Sequence, residues 1–237
     1  MCTVTFIAKG SNDFILTSNR DEAIGRKTRL PEVYNENGIK MAYPKDEVAG
    51  GTWIGVSEKK RLVCLLNGAF VAHKRKSTYR LSRGVIVKEL LAAKDGLKWI
   101  EDFEFTDIEP FTIIMIEWRE GLKLYELVWD GSKKHLKAMN VKTHIWSSSP
   151  LYTKTMKNIR EKWFSEFLNK RKTDSTSLFD FHLNKGIGNK DVDLQIDRGF
   201  LKTVSITQVT KNDNTILMKY RDLKTGNEKE IEIDIFD

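Results

Sequence analysis

The sequence predicts an α+β fold of antiparallel sheets, and three features carry that expectation. Two apolar hairpins open the chain, strand-like segments close it, and the clearest helical periodicity lies in a block between them. Two antiparallel sheets covered by helices on their outer faces satisfy this order, because every apolar face is then met by another layer. At 237 residues and 40% hydrophobic content, the chain reads as a single domain, 1–237, able to bury most of its unfolded surface.

The first hairpin joins residues 2–8 and 14–19, both rich in β-branched and aromatic side chains, through the turn-forming run Lys9-Gly10-Ser11-Asn12-Asp13. Pairing Ala8 with Phe14 brings Cys2 to the neighbourhood of Arg20, inside Ser18-Asn19-Arg20-Asp21-Glu22. The second hairpin joins 51–56 and 62–68 around Ser57-Glu58-Lys59-Lys60-Arg61. Pairing Val56 with Leu62 sets Gly51 opposite Asn67.

A helix follows from an N-cap at Ser77 to about Lys94, with Leu81, Val85, Leu90 and Leu91 inward and Gly96 beyond its end. Strands are expected over 111–118, 122–129, 135–139 and 143–147. Residues 152–172 form an amphipathic helix: Met156, Ile159, Trp163, Phe164, Phe167 and Leu168 make its apolar side, and Lys154, Lys157, Arg160, Lys162, Lys170 and Arg171 take the other positions. A short helix over 177–185 stops at Gly186, and strands over 203–210, 215–221 and 228–236 complete the chain.

Cys2 carries the chemistry. Removal of Met1 leaves a thiol and a free α-amine on one residue, groups that titrate at roughly 8.5 and roughly 7.7–8.0, so proton transfer between them is nearly isoenergetic at neutral pH. Arg20 is permanently charged and suits stabilisation of a thiolate, Asp21 suits holding the amine, and Asn19 or Glu22 suits orienting either group. The side-chain N–H of Asn67 at a strand end suits an oxyanion, although Asn67-Gly68 is also an ordinary turn dipeptide.

Met1-Cys2-Thr3, Ser18-Asn19-Arg20-Asp21-Glu22, Gly50-Gly51-Thr52-Trp53-Ile54-Gly55 and Leu65-Leu66-Asn67-Gly68, in this order, resemble the NRDE family, that of the transport and Golgi organisation protein 2. Its members resemble cysteine-type N-terminal-nucleophile hydrolases such as penicillin V acylase and bile salt hydrolase. The resemblance implies a four-layer αββα sandwich, hydrolysis of carbon–nitrogen bonds in linear amides by Cys2, and catalytic roles for Cys2, Arg20, Asp21 and Asn67. Asn19, Glu22 and Arg198 are the implied substrate contacts, Arg198 matching a late family arginine in competition with Lys202. Trp146-Ser147-Ser148-Ser149-Pro150-Leu151 departs from the family, with serine where an asparagine is expected. The resemblance also admits a second class of function, a non-catalytic carrier or trafficking protein for a hydrophobic anion such as haem or acyl-CoA.

Composition narrows the remainder. No run of about 18 apolar residues and no basic-then-apolar leader is present, so neither a membrane span nor a secretory signal is expected. The two cysteines have neither disulfide nor zinc spacing, Cys64 reads as a core residue, and a reduced Cys2 points to the cytoplasm. No metal or other cofactor is expected. A net charge of +7 favours anionic partners, but no helix-turn-helix or aromatic RNA motif accompanies it, so nucleic acid is not expected. A small-molecule substrate or a hydrophobic anionic ligand is the partner. His73-Lys74-Arg75-Lys76 is either a contact for a substrate carboxylate or phosphate or a solvated loop, and the four histidines read as surface or strand residues. Nucleotide cradles and Gly-x-Ser-x-Gly are absent.

Overall fold

A computed structural model describes residues 2–149, 151–170 and 172–234, with Cys2 and Lys170 described by their backbone alone. The expectations that fall on Met1, Pro150, Arg171 and the last residues of the 228–236 strand lie outside the described residues. In chain order the elements are β1 (Cys2–Lys9), β2 (Asp13–Ala23), β3 (Thr28–Glu36), β4 (Ile39–Asp46), β5 (Ile54–Ser57) and β6 (Arg61–Asn67). Then come α1 (Arg83–Ala92), α2 (Gly96–Asp102), β7 (Phe111–Glu117), β8 (Lys123–Trp129), β9 (Lys134–Met139) and β10 (Thr143–Ser147). The chain continues with α3 (Lys154–Lys170), α4 (Ser175–Asn184), β11 (Leu201–Asn212), β12 (Thr215–Asp222) and β13 (Glu228–Glu232). Two compact units contain them, Met1–Arg26 with Lys142–Glu232 and Lys27–Val141 with Ile233–Asp237.

The first unit holds a six-stranded antiparallel sheet ordered β10-β1-β2-β11-β12-β13. Eight successive residues of β2, from Phe14 through Asp21, are buried, as expected of a strand with neighbours on both sides and both faces covered. On one face α3 and α4 cover Ile7 and Ile15 with Trp163, Phe164, Phe167, Leu178 and Phe181. Each such side chain contributes roughly 1.5–3 kcal/mol by leaving water. The apolar spacing of α3 is as the sequence predicts, but Arg160 and His182 are both fully buried. This corrects the expectation of a solvated Arg160 and a surface or strand His182. Arg160 stands four residues after Met156 and four before Phe164, so it lies on the apolar stripe.

The second unit is a seven-stranded antiparallel sheet in sequence order from β3 to β9. No strand was expected over 28–46. Both β3 and β4 contain a proline, and β3 is an edge strand whose only fully buried residue is Pro31, so neither shows the usual alternation. Helix α1 begins later than expected, at N-cap Ser82, whose Oγ accepts from the Gly84 N–H. Residues before it are held extended, because the Arg80 N–H donates to the Asp107 carbonyl and its guanidinium to the Thr106 carbonyl. Gly96 does not follow a long helix. It opens α2 behind N-cap Asp95, at a point where a Cβ would lie 2.8 Å from the Arg61 guanidinium. That guanidinium, buried and paired with Glu117, donates to the Leu90 and Ala93 carbonyls at the end of α1, capping orphan acceptors there.

Val56 does oppose Leu62, as predicted. The ladder then continues only as far as the Leu65 N–H to Trp53 carbonyl bond, and Asn67 opposes Phe111 of β7 rather than Gly51. Gly51 instead lies against α1, where an added Cβ would stand 2.5 Å from the Gly84 carbonyl carbon. We expect Gly51→Ala to lower the unfolding free energy in urea by about 1–3 kcal/mol through overpacking against backbone. Gly25→Ala, with open space around the added methyl, should change it by less than about 0.5 kcal/mol.

Candidate functional site

The β1–β2 register matches the expectation residue for residue: Ala8 opposes Phe14, Thr3 opposes Asn19 and Cys2 opposes Arg20. Arg20 is 3% exposed, and its Nη2 stands 3.9 Å from Glu22 Oε2. Glu22, at the rim, also meets Arg26 at 3.7 Å and accepts from the Ala23 N–H at 3.0 Å. Partial burial raises the Glu22 pKa, but the positive amino end of the chain, that N–H and the two guanidinium groups together outweigh it and hold the carboxyl below its ordinary range.

Strand alternation places Arg20 on the same face as Leu16 and Ser18, and Asp21 on the opposite face with Thr17 and Asn19. The polar run is therefore divided between two faces of one strand. Opposite it, β11 carries a bulge between Thr203 and Ser205, so that Thr203 pairs with Asp21 and Ser205 with Arg20. The bulge brings the Thr203 hydroxyl onto Asp21 Oδ1 at 2.7 Å, and Tyr152 donates to Oδ2 at 2.5 Å. Asp21 is fully buried, and burial pushes its pKa up. The positive amino end of the chain, the two hydroxyl donors and the Arg160 charge oppose that rise. Tyr152 is held far above the ordinary phenol value by burial and by the Asp21 charge, so it remains a donor. On the Arg20 face, the hydroxyls of Ser18, Ser205 and Thr207 are buried with no hydrogen-bond partner among the described residues.

Two guanidinium groups lie over the Tyr152 ring, Arg160 at 3.6 Å and Arg198 at 5.5 Å from its centroid. Arg198 is thus brought to this group. It donates to the Leu151 and Asp191 carbonyls, whereas its competitor Lys202 pairs with Asp197 at 2.9 Å. Asn19 is committed to α4 and the segment after it: Nδ2 donates to the Leu194 carbonyl at 2.7 Å and the His182 carbonyl at 3.2 Å. Those two donations fix its Oδ1 as an acceptor facing His182 Nδ1. The imidazole proton therefore sits on Nδ1, and Nε2 accepts from the Thr5 hydroxyl at 2.7 Å. Sequence reasoning missed Tyr152, Arg160 and His182. The available signal for His182 was its place beside Leu178, Phe179 and Phe181 on the buried side of α4.

In the second unit, Asn67 ends β6 half-buried, and Gly68 turns the chain with φ +80° while its N–H donates to the Pro110 carbonyl. The basic run beyond it is partly neutralised: Glu109 receives His73 at 3.4 Å, Arg75 at 3.8 Å and Arg83 at 3.0 Å, and Lys76 pairs with Asp107 at 3.0 Å. Cys64 is a buried thiol outside any disulfide in β6, as expected of a core residue. Among the described residues, no three or more His, Cys, Asp or Glu side chains are grouped to hold a metal ion, and no helix is long and apolar enough to cross a membrane.

The sequence pattern of the family described as Transport and Golgi organisation 2 matches residues 1–222. A mouse protein, Transport and Golgi organization 2 homolog, is 29% identical over 113 residues, covering 43% of this chain and 39% of its own length. A human Transport and Golgi organization protein 2 homolog is 32% identical over 78 residues, covering 28% and 27%. The chain thus spans well under half the length of these two relatives. Among solved structures, penicillin V acylase from Agrobacterium tumefaciens superposes with a TM-score of 0.60 at 9% identity, over 100% of this chain and 88% of that one. The Caenorhabditis elegans ortholog of N-acylethanolamine-hydrolyzing acid amidase gives 0.57 at 14% identity, over 87% and 92%. A variant of conjugated bile acid hydrolase from Clostridium perfringens gives 0.54 at 9% identity, over 100% and 94%. These likenesses establish the fold: two antiparallel sheets with few helices, of the N-terminal-nucleophile hydrolase type.

Burial holds the His182 imidazole down to about 3, against roughly 6.5 when unfolded. The unfolded chain therefore takes up the proton first. The stability that His182 contributes is complete above about pH 6.5 and is lost as pH falls towards the folded value. Urea titrations from about pH 6 to about pH 4 should show wild type losing about 1.4 kcal/mol more per pH unit than His182→Gln. Parallel slopes in the two proteins would contradict the neutral, buried imidazole.

Proposed function

This chain belongs to the Transport and Golgi organisation 2 family and has a hydrolase-like fold, and from that premise we propose that it hydrolyses carbon–nitrogen bonds of small linear amides through Cys2 once Met1 is removed. The observation that carries the reading is the β1–β2 register, which sets the backbone of Cys2 directly opposite a buried arginine and one residue from a buried carboxylate.

The freed α-amine accepts the thiol proton, and the thiolate attacks the amide carbonyl carbon. Backbone N–H groups are assigned the resulting oxyanion. Collapse breaks the C–N bond, the α-ammonium returns its proton to the leaving amine, and an acyl thioester remains on Cys2. Water, deprotonated by the same amine, then releases the carboxylic acid and restores the thiol. Arg20 favours the thiolate from one face of the sheet. Asp21, on the other face, is assigned to hold the backbone amine. Glu22 and Arg198, both part-exposed, are assigned to the substrate, and Asn19 acts by anchoring β2 to α4. The reaction needs a reduced thiol, and we place it in the cytoplasm.

Intact-mass and labelling measurements test the proposal. Protein made in cells should lack Met1, iodoacetamide at pH 7 should label Cys2 faster than the buried Cys64, and Arg20→Ala should slow Cys2 labelling by about tenfold, the effect of one unit in thiol pKa. Retained Met1, or equal Cys2 labelling with and without Arg20, would remove the nucleophile and leave the alternative, a non-catalytic carrier of a hydrophobic anion such as haem or acyl-CoA.

A further inference from the structure

Arg160 is a fully buried cation on α3 that makes no ion pair among the described residues. Its guanidinium donates to the Val192 carbonyl at 3.0 Å, to the Asp193 carbonyl at 2.6 Å and to the hydroxyl of Thr3, the residue after Cys2. All of these acceptors are neutral. A buried charge without a counter-charge is costly, and carbonyl oxygens offset only part of that cost. Yet its Cζ lies over the Tyr152 ring, 3.6 Å from the centroid, and the Tyr152 hydroxyl donates to Asp21. Cation, ring, hydroxyl and carboxylate form one continuous line.

We propose that Arg160 and Tyr152 are positioning residues that hold the Asp21 carboxylate ionised and oriented beside the start of β1, coupling α3 to the reacting end of the sheet. The inference rests on the nucleophile assignment for Cys2, which gives Asp21 its purpose. A cation over the ring makes the phenol a stronger donor, and a stronger donor favours the charged form of the acid it meets. Thr203 supplies a second donor from β11, so both carboxylate oxygens are occupied and the group cannot rotate. The charged and titratable groups around it are Arg20 and Glu22 on its own strand, the amino end of the chain, Tyr152 and Arg198 from the flanking loops, and Arg160 from α3. Beyond Arg160 lies His182 from α4. Arginines stay charged and His182 is neutral at physiological pH, so Asp21 is the group on this line whose charge the relay can set.

The test is an NMR titration of the Asp21 side-chain carboxyl in protein carrying 13C-labelled aspartate, with Asp21→Asn as the assignment control. Tyr152→Phe keeps the ring and removes only the donor. It should raise the Asp21 midpoint by about one pH unit, the worth of one hydrogen bond to a charged group. Arg160→Met should raise it by at least as much, and Arg160→Lys, which keeps the charge, by less than half as much. Should Arg160→Met fail to fold, Tyr152→Phe decides alone. An Asp21 midpoint in Tyr152→Phe equal to that of wild type overturns the relay, whatever the labelling of Cys2 shows. A raised midpoint together with Arg20-independent labelling of Cys2 would keep the relay and remove the hydrolase.

Discussion

A central strand that is polar at one end and buried throughout is the constraint around which the first unit is arranged. Residues 17 to 21 of β2 are threonine, serine, asparagine, arginine and aspartate, and all five are shielded from water. Each polar atom there must find a partner or be left at a cost of roughly 1–3 kcal/mol. The partners come from elements remote in sequence. Thr17 is met by Gln208, Asn19 by His182 and Leu194, and Asp21 by Tyr152 and Thr203. The placement of α4, the segment after it and the loop before α3 follows from those demands as much as from the apolar cluster beneath the helices.

Hydrogen bonds of this kind add little net energy individually but discriminate strongly between arrangements. An Asn19 that lost His182 would leave an amide, an imidazole and a hydroxyl unsatisfied together, so the network favours one packing of α4 over its neighbours. The apolar contacts of Trp163, Phe164, Phe167 and Phe181 supply the larger share of stabilisation without such selectivity. Rigidity at the start of β1 is thus a product of polar satisfaction, and rigidity there is what a reacting group needs.

The hairpin register was legible from the sequence because a short turn between two alternating strands fixes pairing, and the outcome agrees at every position from Cys2 to Lys9. The strands from Phe111 to Ser147 and the two later helices were legible as elements from local pattern. What local pattern does not record is long-range pairing. That Asn67 faces Phe111, that β10 pairs with β1, and that Arg80 delays α1 all depend on segments tens of residues away. Burial of charge was misread because residue type was weighed above angular position: Arg160 and His182 both stand on apolar stripes. Of the site, the register that opposes Cys2 to Arg20 was foreseen, whereas Tyr152 and Arg160 emerged only with the fold.

The bulge in β11 has a further meaning for how this chain can vary. Beyond it Ser205, Thr207 and Val209 share a face with Arg20, Ser18 and Leu16, while before it Thr203 shares a face with Asp21. One extra residue thus sets the phase of the polar end independently of the apolar body, like a joint between two rulers. Substitutions can accumulate on either side of Val204 without disturbing the other side. Loss or gain of a single residue there cannot be absorbed in the same way, because it would turn either the core face or the Asp21 face of the strand inside out. Length in this stretch is therefore constrained more tightly than identity.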